Sequence, residues 1–190
     1  MSLFRTFIAV DVSPEVRARA VKLERDLQQS RVKASWTSGE SMHLTLKFLG
    51  DTPDGRLPDV CRAVQRAAAP LAPIQLAFKQ AGAFPRMQRP RTVWIGLETG
   101  REPLERLQIA IEDALYDEGF PRERRRFVPH LTIARVRAGG PALAALSARL
   151  ERHADFDAGS TLADEVVVYA SFLDGGGPTY QVVGRAELGG

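Results

Sequence analysis

The chain has 190 residues, of which 44% are hydrophobic, 26% charged and 7% aromatic. This composition excludes an intrinsically disordered protein, which would be poorer in apolar residues. A domain of this length buries roughly 70% of the surface that its unfolded chain exposes, so it needs no disulfide or metal ion for stability. Basic residues outnumber acidic ones by 26 to 23 and most of them are arginine, whose planar guanidinium matches a phosphate group.

The single cysteine, Cys61, excludes an internal disulfide and a zinc site built from several thiolates. The apolar stretch near the N-terminus, residues 7–10, is too short for the core of a signal peptide and far below the roughly 20 residues of a membrane span. We therefore expect a soluble cytoplasmic protein.

The first part of the chain is predicted to alternate strands and helices. Ser13 is a suitable N-cap and Pro14 suits the first turn of a helix, after which apolar residues recur at helical spacing. Gly50 is expected to end the third strand. The predicted elements are strand 3–12, helix 14–29, strands 32–36 and 42–49, helix 57–69 and strand 74–84.

The second part continues with strand 92–97, helix 103–119, strand 130–136, helix 142–152 and strands 165–173 and 179–188. The last two are expected to form an antiparallel hairpin through a turn at Gly175-Gly176-Gly177-Pro178. Several strands follow one another without a helix between them. The pattern therefore favours an α+β fold with antiparallel sheets over a doubly wound parallel sheet.

One tetrapeptide occurs twice on predicted strands, as His43-Leu44-Thr45-Leu46 and His130-Leu131-Thr132-Ile133. Two of the three histidines of the chain head this motif, and such self-similarity usually means duplicated structure. In a strand, alternate side chains share a face, so each histidine shares a face with its threonine while the leucine side is core. If two similar lobes pack about a pseudo-twofold axis, the two His/Thr faces meet across one cleft.

Such a cleft suits acid–base chemistry, because one imidazole can take a proton while the other gives one. Threonine hydroxyls can bind the non-bridging oxygens of a phosphate. Neither motif carries a carboxylate, so the two histidines make a poor metal site. The residues therefore point to a metal-free, in-line displacement at phosphorus.

The two motifs and their surroundings resemble the two-histidine (2H) phosphoesterases, and among them the bacterial and archaeal RNA 2′,3′-cyclic phosphodiesterases, also called the 2′-5′ RNA ligase family. The similarity covers essentially the whole chain. It is carried by the segments RTFIAV at 5–10, MHLTLKFLG at 42–50, Phe84-Pro85 and RFVPHLTIARV at 126–136.

This resemblance implies one domain over residues 1–190 with two lobes, each bearing one motif. Two antiparallel sheets backed by helices would enclose a central cleft. The implied reaction is hydrolysis of a 2′,3′-cyclic phosphate at an RNA end, or on a nucleotide, to a 2′-phosphomonoester. Some members also join RNA ends through 2′-5′ linkages without ATP. No metal or nucleotide cofactor, no membrane partner and a monomeric state are expected.

Carried onto this chain, the resemblance makes His43 the general acid and His130 the general base. Thr45 and Thr132 would hold the phosphate oxygens, and Arg135 matches a phosphate-contacting arginine of some members. Strict alternation, however, places Arg135 on the face opposite His130. The strand must therefore bulge or end near residue 134 for this arginine to reach the phosphate.

Basic and aromatic residues are further candidates for contacts with RNA. Lys47 is predicted to share the face of His43, whereas Phe48 is assigned to the core; Phe7 and Trp36 are also expected to be core. Arginines could guide an RNA backbone toward the cleft from two loops. These are Arg86, Arg89 and Arg91 in one loop, and Arg122, Arg124, Arg125 and Arg126 in the other.

Two alternatives remain open at the level of sequence. The first is a 2H phosphoesterase that acts on a 2′-5′ oligoadenylate or on the cyclic phosphate of an ADP-ribose product. The second is a non-catalytic RNA-binding module that uses the arginine loops, whose RNA binding would be sensitive to salt and would survive the loss of both histidines.

Overall fold

The computed structural model describes residues 2–137, 139–174 and 177–190. Within these ranges the chain forms nine strands and four α-helices, an α+β fold as predicted. The strands are β1 (Leu3–Asp11), β2 (Ala34–Trp36), β3 (His43–Pro53), β4 (Ile74–Phe84), β5 (Thr92–Thr99), β6 (His130–Val136), β7 (Asp157–Ala163), β8 (Glu165–Asp174) and β9 (Gly177–Glu187). The helices are α1 (Pro14–Gln28), α2 (Leu57–Ala68), α3 (Arg101–Asp117) and α4 (Pro141–Arg152).

All strands pair antiparallel in one curled sheet with the order β7-β4-β5-β6-β3-β1-β8-β9, and β2 pairs with the end of β6. The central strands β3 and β6 pair at one position in the described chain, Leu44 opposite Leu131. The two predicted sheets are therefore halves of a single sheet. We call β3, β1, β8 and β9 the first lobe, and β6, β5, β4 and β7 the second lobe.

The helices cover one face of the sheet. Helices α2 and α3 pack on each other and on the first lobe, and α1 and α4 pack on the second. Leu44, Leu131 and Ile95 are fully buried on the covered side, where burial of each large apolar side chain contributes about 1.5–3 kcal/mol. The other face, which we call the open face, carries no helix of the described ranges.

The order of elements repeats along the chain. Apart from β2, β7 and β9, the series β1-α1-β3-α2-β4 is followed by β5-α3-β6-α4-β8, and the two motifs begin β3 and β6. The last strand of each series pairs with the first strand of the other: β4 with β5, and β8 with β1. Each lobe is thus built from both series.

Most predicted elements are confirmed, and the Ser13 hydroxyl caps α1 by accepting a hydrogen bond from the amide of Val16. Strand β3 continues beyond the expected stop at Gly50, which adopts a positive φ of 73° inside the strand. Strand β7 was not predicted, because its sequence DAGSTLA lacks the β-branched and aromatic run that marks a strand. The predicted turn residues Gly175 and Gly176 lie outside the described residues.

No helix in the described ranges is both long and apolar enough to span a membrane.

Candidate active site

Four polar side chains of the two motifs share the open face where β3 and β6 meet. Leu44 and Leu131 are paired and fully buried. Their neighbours in sequence therefore point to the opposite face, because side chains alternate along a strand. This arrangement brings His43 and Thr45 of the first lobe together with His130 and Thr132 of the second, all four half-buried.

A β-bulge follows the first motif. The register of β3 against β1 changes between Thr45 and Lys47, so Leu46 is an extra residue. Leu46 and Lys47 are both buried, whereas Phe48 is 60% exposed and returns to the side of His43. The prediction of Phe48 as core was therefore wrong, as was the placement of Lys47 on the face of His43.

A second bulge occupies the equivalent position after the other motif. The register of β6 against β5 changes between Thr132 and Ala134, which makes Ile133 the extra residue. Ile133 and Ala134 are both fully buried, and Arg135 is exposed on the side of His130. The bulge thus removes the conflict between strand alternation and a role for Arg135 at the site. Phe48 and Arg135, each five residues after a motif histidine, occupy equivalent positions in the two lobes.

Aromatic rings surround His43. The ring of Phe7 stacks on the imidazole at 4.7 Å and 25°, and the ring of Tyr180 approaches it edge-on at 5.3 Å. Burial lowers the pKa of His43 to about 4, while the Asp11 carboxylate and a hydrogen bond with the Ser41 backbone partly oppose this shift. The imidazole is therefore neutral at pH 7 in the free protein.

Tyr169 connects the aromatic group to Asp11. Its hydroxyl lies 2.7 and 2.9 Å from the two carboxylate oxygens of Asp11 and donates to them, and its ring stacks on Phe7 at 5.2 Å. Burial raises the pKa of Tyr169, and the hydrogen bond and the charge of Asp11 raise it further. The phenol stays protonated, so it holds the Asp11 carboxylate beside His43.

His130 is oriented by a backbone hydrogen bond. Its Nδ1 lies 2.7 Å from the carbonyl oxygen of Val128, and because a carbonyl only accepts, Nδ1 carries the proton and Nε2 of the neutral ring is an acceptor. The ring edge of Phe84 lies against the imidazole with the centroids 5.1 Å apart. Burial lowers the pKa of His130; the Val128 hydrogen bond opposes this shift, and the charge of Arg135 adds to it.

Sequence reasoning missed Asp11, Tyr169 and Tyr180, which reach the site through strand pairing. Asp11 lies opposite His43 in the register of β1 and β3, and Tyr169 lies opposite Phe7. No local motif marks these positions. Phe7, predicted to be core, is indeed 3% exposed, and its ring also covers the His43 imidazole.

One arginine loop lies beside the second lobe and the other lies against α3. The loop between β4 and β5 lies next to the end of β6, where the Val136 amide donates to the carbonyl of Arg91 at 2.8 Å. In the loop before β6, Arg122 pairs with Asp113. Six other arginines of these loops form no ion pair with a carboxylate of the described residues. They are Arg86, Arg89, Arg91, Arg124, Arg125 and Arg126.

Across the described ranges, no group of three or more His, Cys, Asp or Glu side chains is placed to hold a metal ion.

Known proteins match nearly the whole length of this chain. A relative from Thermotoga maritima, named RNA 2′,3′-cyclic phosphodiesterase, is 32% identical over 186 residues, which cover 98% of this chain and 96% of that protein. The protein of the same name from Aquifex aeolicus is 27% identical over 191 residues and covers both chains fully.

Solved structures share the fold over nearly the whole chain. The crystal structure of TT0787 from Thermus thermophilus matches with a TM-score of 0.82 at 27% identity, covering 98% of each chain. That of E. coli LigT complexed with 3′-AMP matches with a TM-score of 0.77 at 22% identity, covering 98% of this chain and 99% of the other. The model of the 2′-5′ RNA ligase superfamily matches residues 12–171, and with both motifs inside that range the chain belongs to this superfamily.

Proposed function

We propose that the protein hydrolyses the 2′,3′-cyclic phosphate of an RNA end or a nucleotide to a 2′-phosphomonoester, without a metal ion. The observation that carries this proposal is the pairing of Leu44 with Leu131, since it turns His43 and His130 toward the same open face. The relatives named RNA 2′,3′-cyclic phosphodiesterase support the choice of substrate.

The proposed reaction is an in-line displacement. His130 Nε2, the free acceptor of its ring, takes a proton from water as the water oxygen bonds to phosphorus. The bond from phosphorus to the 3′ oxygen breaks, and that oxygen takes a proton from His43. Each transfer is typically worth about 10²–10⁴ in rate. Thr45, Thr132 and Arg135 bind the non-bridging oxygens, where negative charge develops.

The aromatic residues support His43 as the acid. The leaving 3′ oxygen belongs to the nucleoside, so the acid must stand on the side where the nucleoside binds. Phe48 is exposed beside Phe7, with ring centroids 5.9 Å apart, and Phe7 in turn stacks on His43. The first lobe therefore offers a surface for a nucleobase, while the second offers the charge of Arg135.

A change of Phe48 to alanine is expected to raise KM for 2′,3′-cyclic AMP by about 5- to 150-fold, because stacking of a base on an aromatic side chain is worth about 1–3 kcal/mol. Steady-state kinetics of the Phe48→Ala and Phe48→Tyr variants would measure this, with tyrosine restoring the low KM. The change should leave KM for glycerol 1,2-cyclic phosphate unaltered, because this compound has the five-membered ring but no base. The Phe172→Ala variant is the control, because it removes a partly exposed ring from the other face of β8. Equal KM values for Phe48→Ala and the unmodified protein would contradict base stacking at this position.

The pH dependence follows from the two lowered pKa values. The reaction needs one imidazole neutral and the other protonated, so kcat/KM reaches its maximum between the two pKa values of the free enzyme. Both are lowered from 6.5, that of His43 to about 4, which places the optimum below pH 6.5. The bound phosphate is anionic and favours imidazolium, so the optimum of kcat should lie at higher pH. An optimum of kcat/KM above pH 7 would contradict these environments.

The direct test of the proposal is incubation with 2′,3′-cyclic AMP in the presence of EDTA, followed by separation of 2′-AMP from 3′-AMP. We expect 2′-AMP alone. Production of 3′-AMP would mean that the 2′ oxygen leaves instead of the 3′ oxygen. Inhibition by EDTA would contradict a metal-independent reaction.

The same displacement can use a 5′-hydroxyl in place of water, which would join two RNA ends through a 2′-5′ linkage. One phosphorus–oxygen bond forms as another breaks, so no ATP is needed. Membership of the 2′-5′ RNA ligase superfamily supports this second activity. An RNA with a 2′,3′-cyclic phosphate, mixed with a 5′-hydroxyl oligonucleotide, should give a product that resists ribonucleases specific for 3′-5′ linkages.

A further inference from the structure

A buried ion pair links the strand of the first motif to helix α3. Lys47 Nζ lies 2.7 Å from Glu112 Oε2, and the two side chains are only 2% and 9% exposed. Gln108 donates to the other carboxylate oxygen of Glu112 at 3.3 Å. The first bulge makes this pair possible, because it turns Lys47 inward.

The pair also binds the backbone of the segment that leads to the second motif. Lys47 Nζ donates to the carbonyl of Pro121 at 2.9 Å, and the amide of Glu123 donates to Glu112 Oε2 at 3.2 Å. The described residues between α3 and His130 form no helix or strand. The ion pair therefore supplies backbone hydrogen bonds that a neighbouring strand would supply in a sheet.

Three arginines follow directly after this attachment. Arg124, Arg125 and Arg126 are exposed and form no ion pair with the described carboxylates. The amides of Arg124 and Arg125 donate to the Glu123 side chain, which fixes the start of the run. A few residues later, the Val128 carbonyl orients His130.

We propose that Lys47 and Glu112 are positioning residues that hold the run Arg124–Arg126 in place to bind the RNA phosphates upstream of the reacting nucleotide. This inference rests on the proposed function, because it assigns the substrate as an RNA strand longer than one nucleotide. Arginine suits the task, since its guanidinium binds phosphate in a bidentate manner.

The energetics of burial support a positional role. Removing two charges from water is costly, and apolar replacements of such a pair are often neutral or stabilising. Stability alone therefore gives no reason for an ion pair here. An apolar pair could not bind the carbonyl of Pro121 and the amide of Glu123, whereas Lys47 and Glu112 bind both.

The test measures binding of an RNA oligonucleotide that ends in a 2′-phosphate, the proposed product, at several salt concentrations. The slope of log K against log[salt] is negative, and the triple variant R124A/R125A/R126A should reduce its magnitude by about 2, since each contact with a single strand contributes about 0.7. The double variant K47M/E112L should reduce the magnitude of the slope by a similar amount. The five substitutions together should add little, because both sets remove the same contacts. The matched control is K79M/E98L, which removes an exposed Lys–Glu pair on β4 and β5.

A second readout separates positioning from general damage to the fold. The ratio of kcat/KM for the RNA to that for 2′,3′-cyclic AMP should fall in K47M/E112L. The fall should come from a higher KM for the RNA. If the double variant does not fold, E112Q keeps the shape and one acceptor and should give a smaller loss of the same kind.

Three outcomes would overturn the inference. They are an unchanged salt slope in the arginine variant, normal RNA binding by a folded K47M/E112L protein, or additive losses in the combined variant. Failure of the unmodified protein to hydrolyse either substrate would instead contradict the proposed function, and the binding data would still report on the ion pair.

Discussion

Replacement of His43 or His130 by alanine is expected to lower kcat for 2′,3′-cyclic AMP by about 10²–10⁴-fold, because each removes one proton transfer. The two losses should not add when both histidines are replaced, since the two groups act in one step. Both side chains are half-buried on the open face, and removing them leaves the paired leucines beneath in place. Circular dichroism and thermal unfolding would confirm that the variants are folded.

The third histidine provides the control for this experiment. His153 Nε2 lies 3.0 Å from Asp26 between α1 and α4, on the helical side of the second lobe. The His153→Ala variant should keep the turnover of the unmodified protein, although its stability can fall. Turnover close to normal in either motif variant would contradict the two-histidine mechanism.

Replacement of Arg135 by glutamine is expected to reduce kcat/KM by about 10²–10³-fold, the usual cost of removing one donor to a developing anion. The charge of Arg135 also lowers the pKa of His130, so the substitution should raise that pKa and move the limb of the pH profile that His130 controls to higher pH. A pH series of kcat/KM measures both effects.

A second arginine gives the matched comparison. Arg106 lies on the outer side of α3 and pairs with Glu102, so Arg106→Gln should leave the rate and the profile unchanged. A normal rate for Arg135→Gln would show that the second bulge does not deliver this arginine to the phosphate.

The sequence predicted the geometry at the centre of the candidate site but not that of its surroundings. The repeated His-x-Thr pattern on alternating strands predicted a shared polar face and a buried leucine layer, and the pairing of Leu44 with Leu131 agrees with that prediction. The alternation of side chains between the two faces then fails at the residue after each motif, Lys47 in β3 and Ala134 in β6. A bulge depends on the partner strand, so the sequence of β3 alone could not show that Lys47 turns inward and Phe48 outward.

Other misses have a similar physical origin. Tyr169 and Tyr180 come to His43 from the C-terminal hairpin, a contact over more than 100 residues that no local pattern encodes. Strand β7 has the composition of a loop, and its pairing with β4 holds it in the sheet. From the sequence, Arg135 could reach the phosphate only if β6 bulged or ended near residue 134. The register of β6 against β5 shows a bulge.

The exchange of strands between the two series also bears on how such a fold could arise. A chain of half this length would hold a single motif histidine, and its last strand would lack the partner found here in the other series. Two copies could complete each other only as an intertwined homodimer, in which each subunit lends an outer strand to its twin. Fusion of the genes would then free the two halves of the candidate site to diverge, which would account for a phenyl ring in one where its counterpart carries a guanidinium.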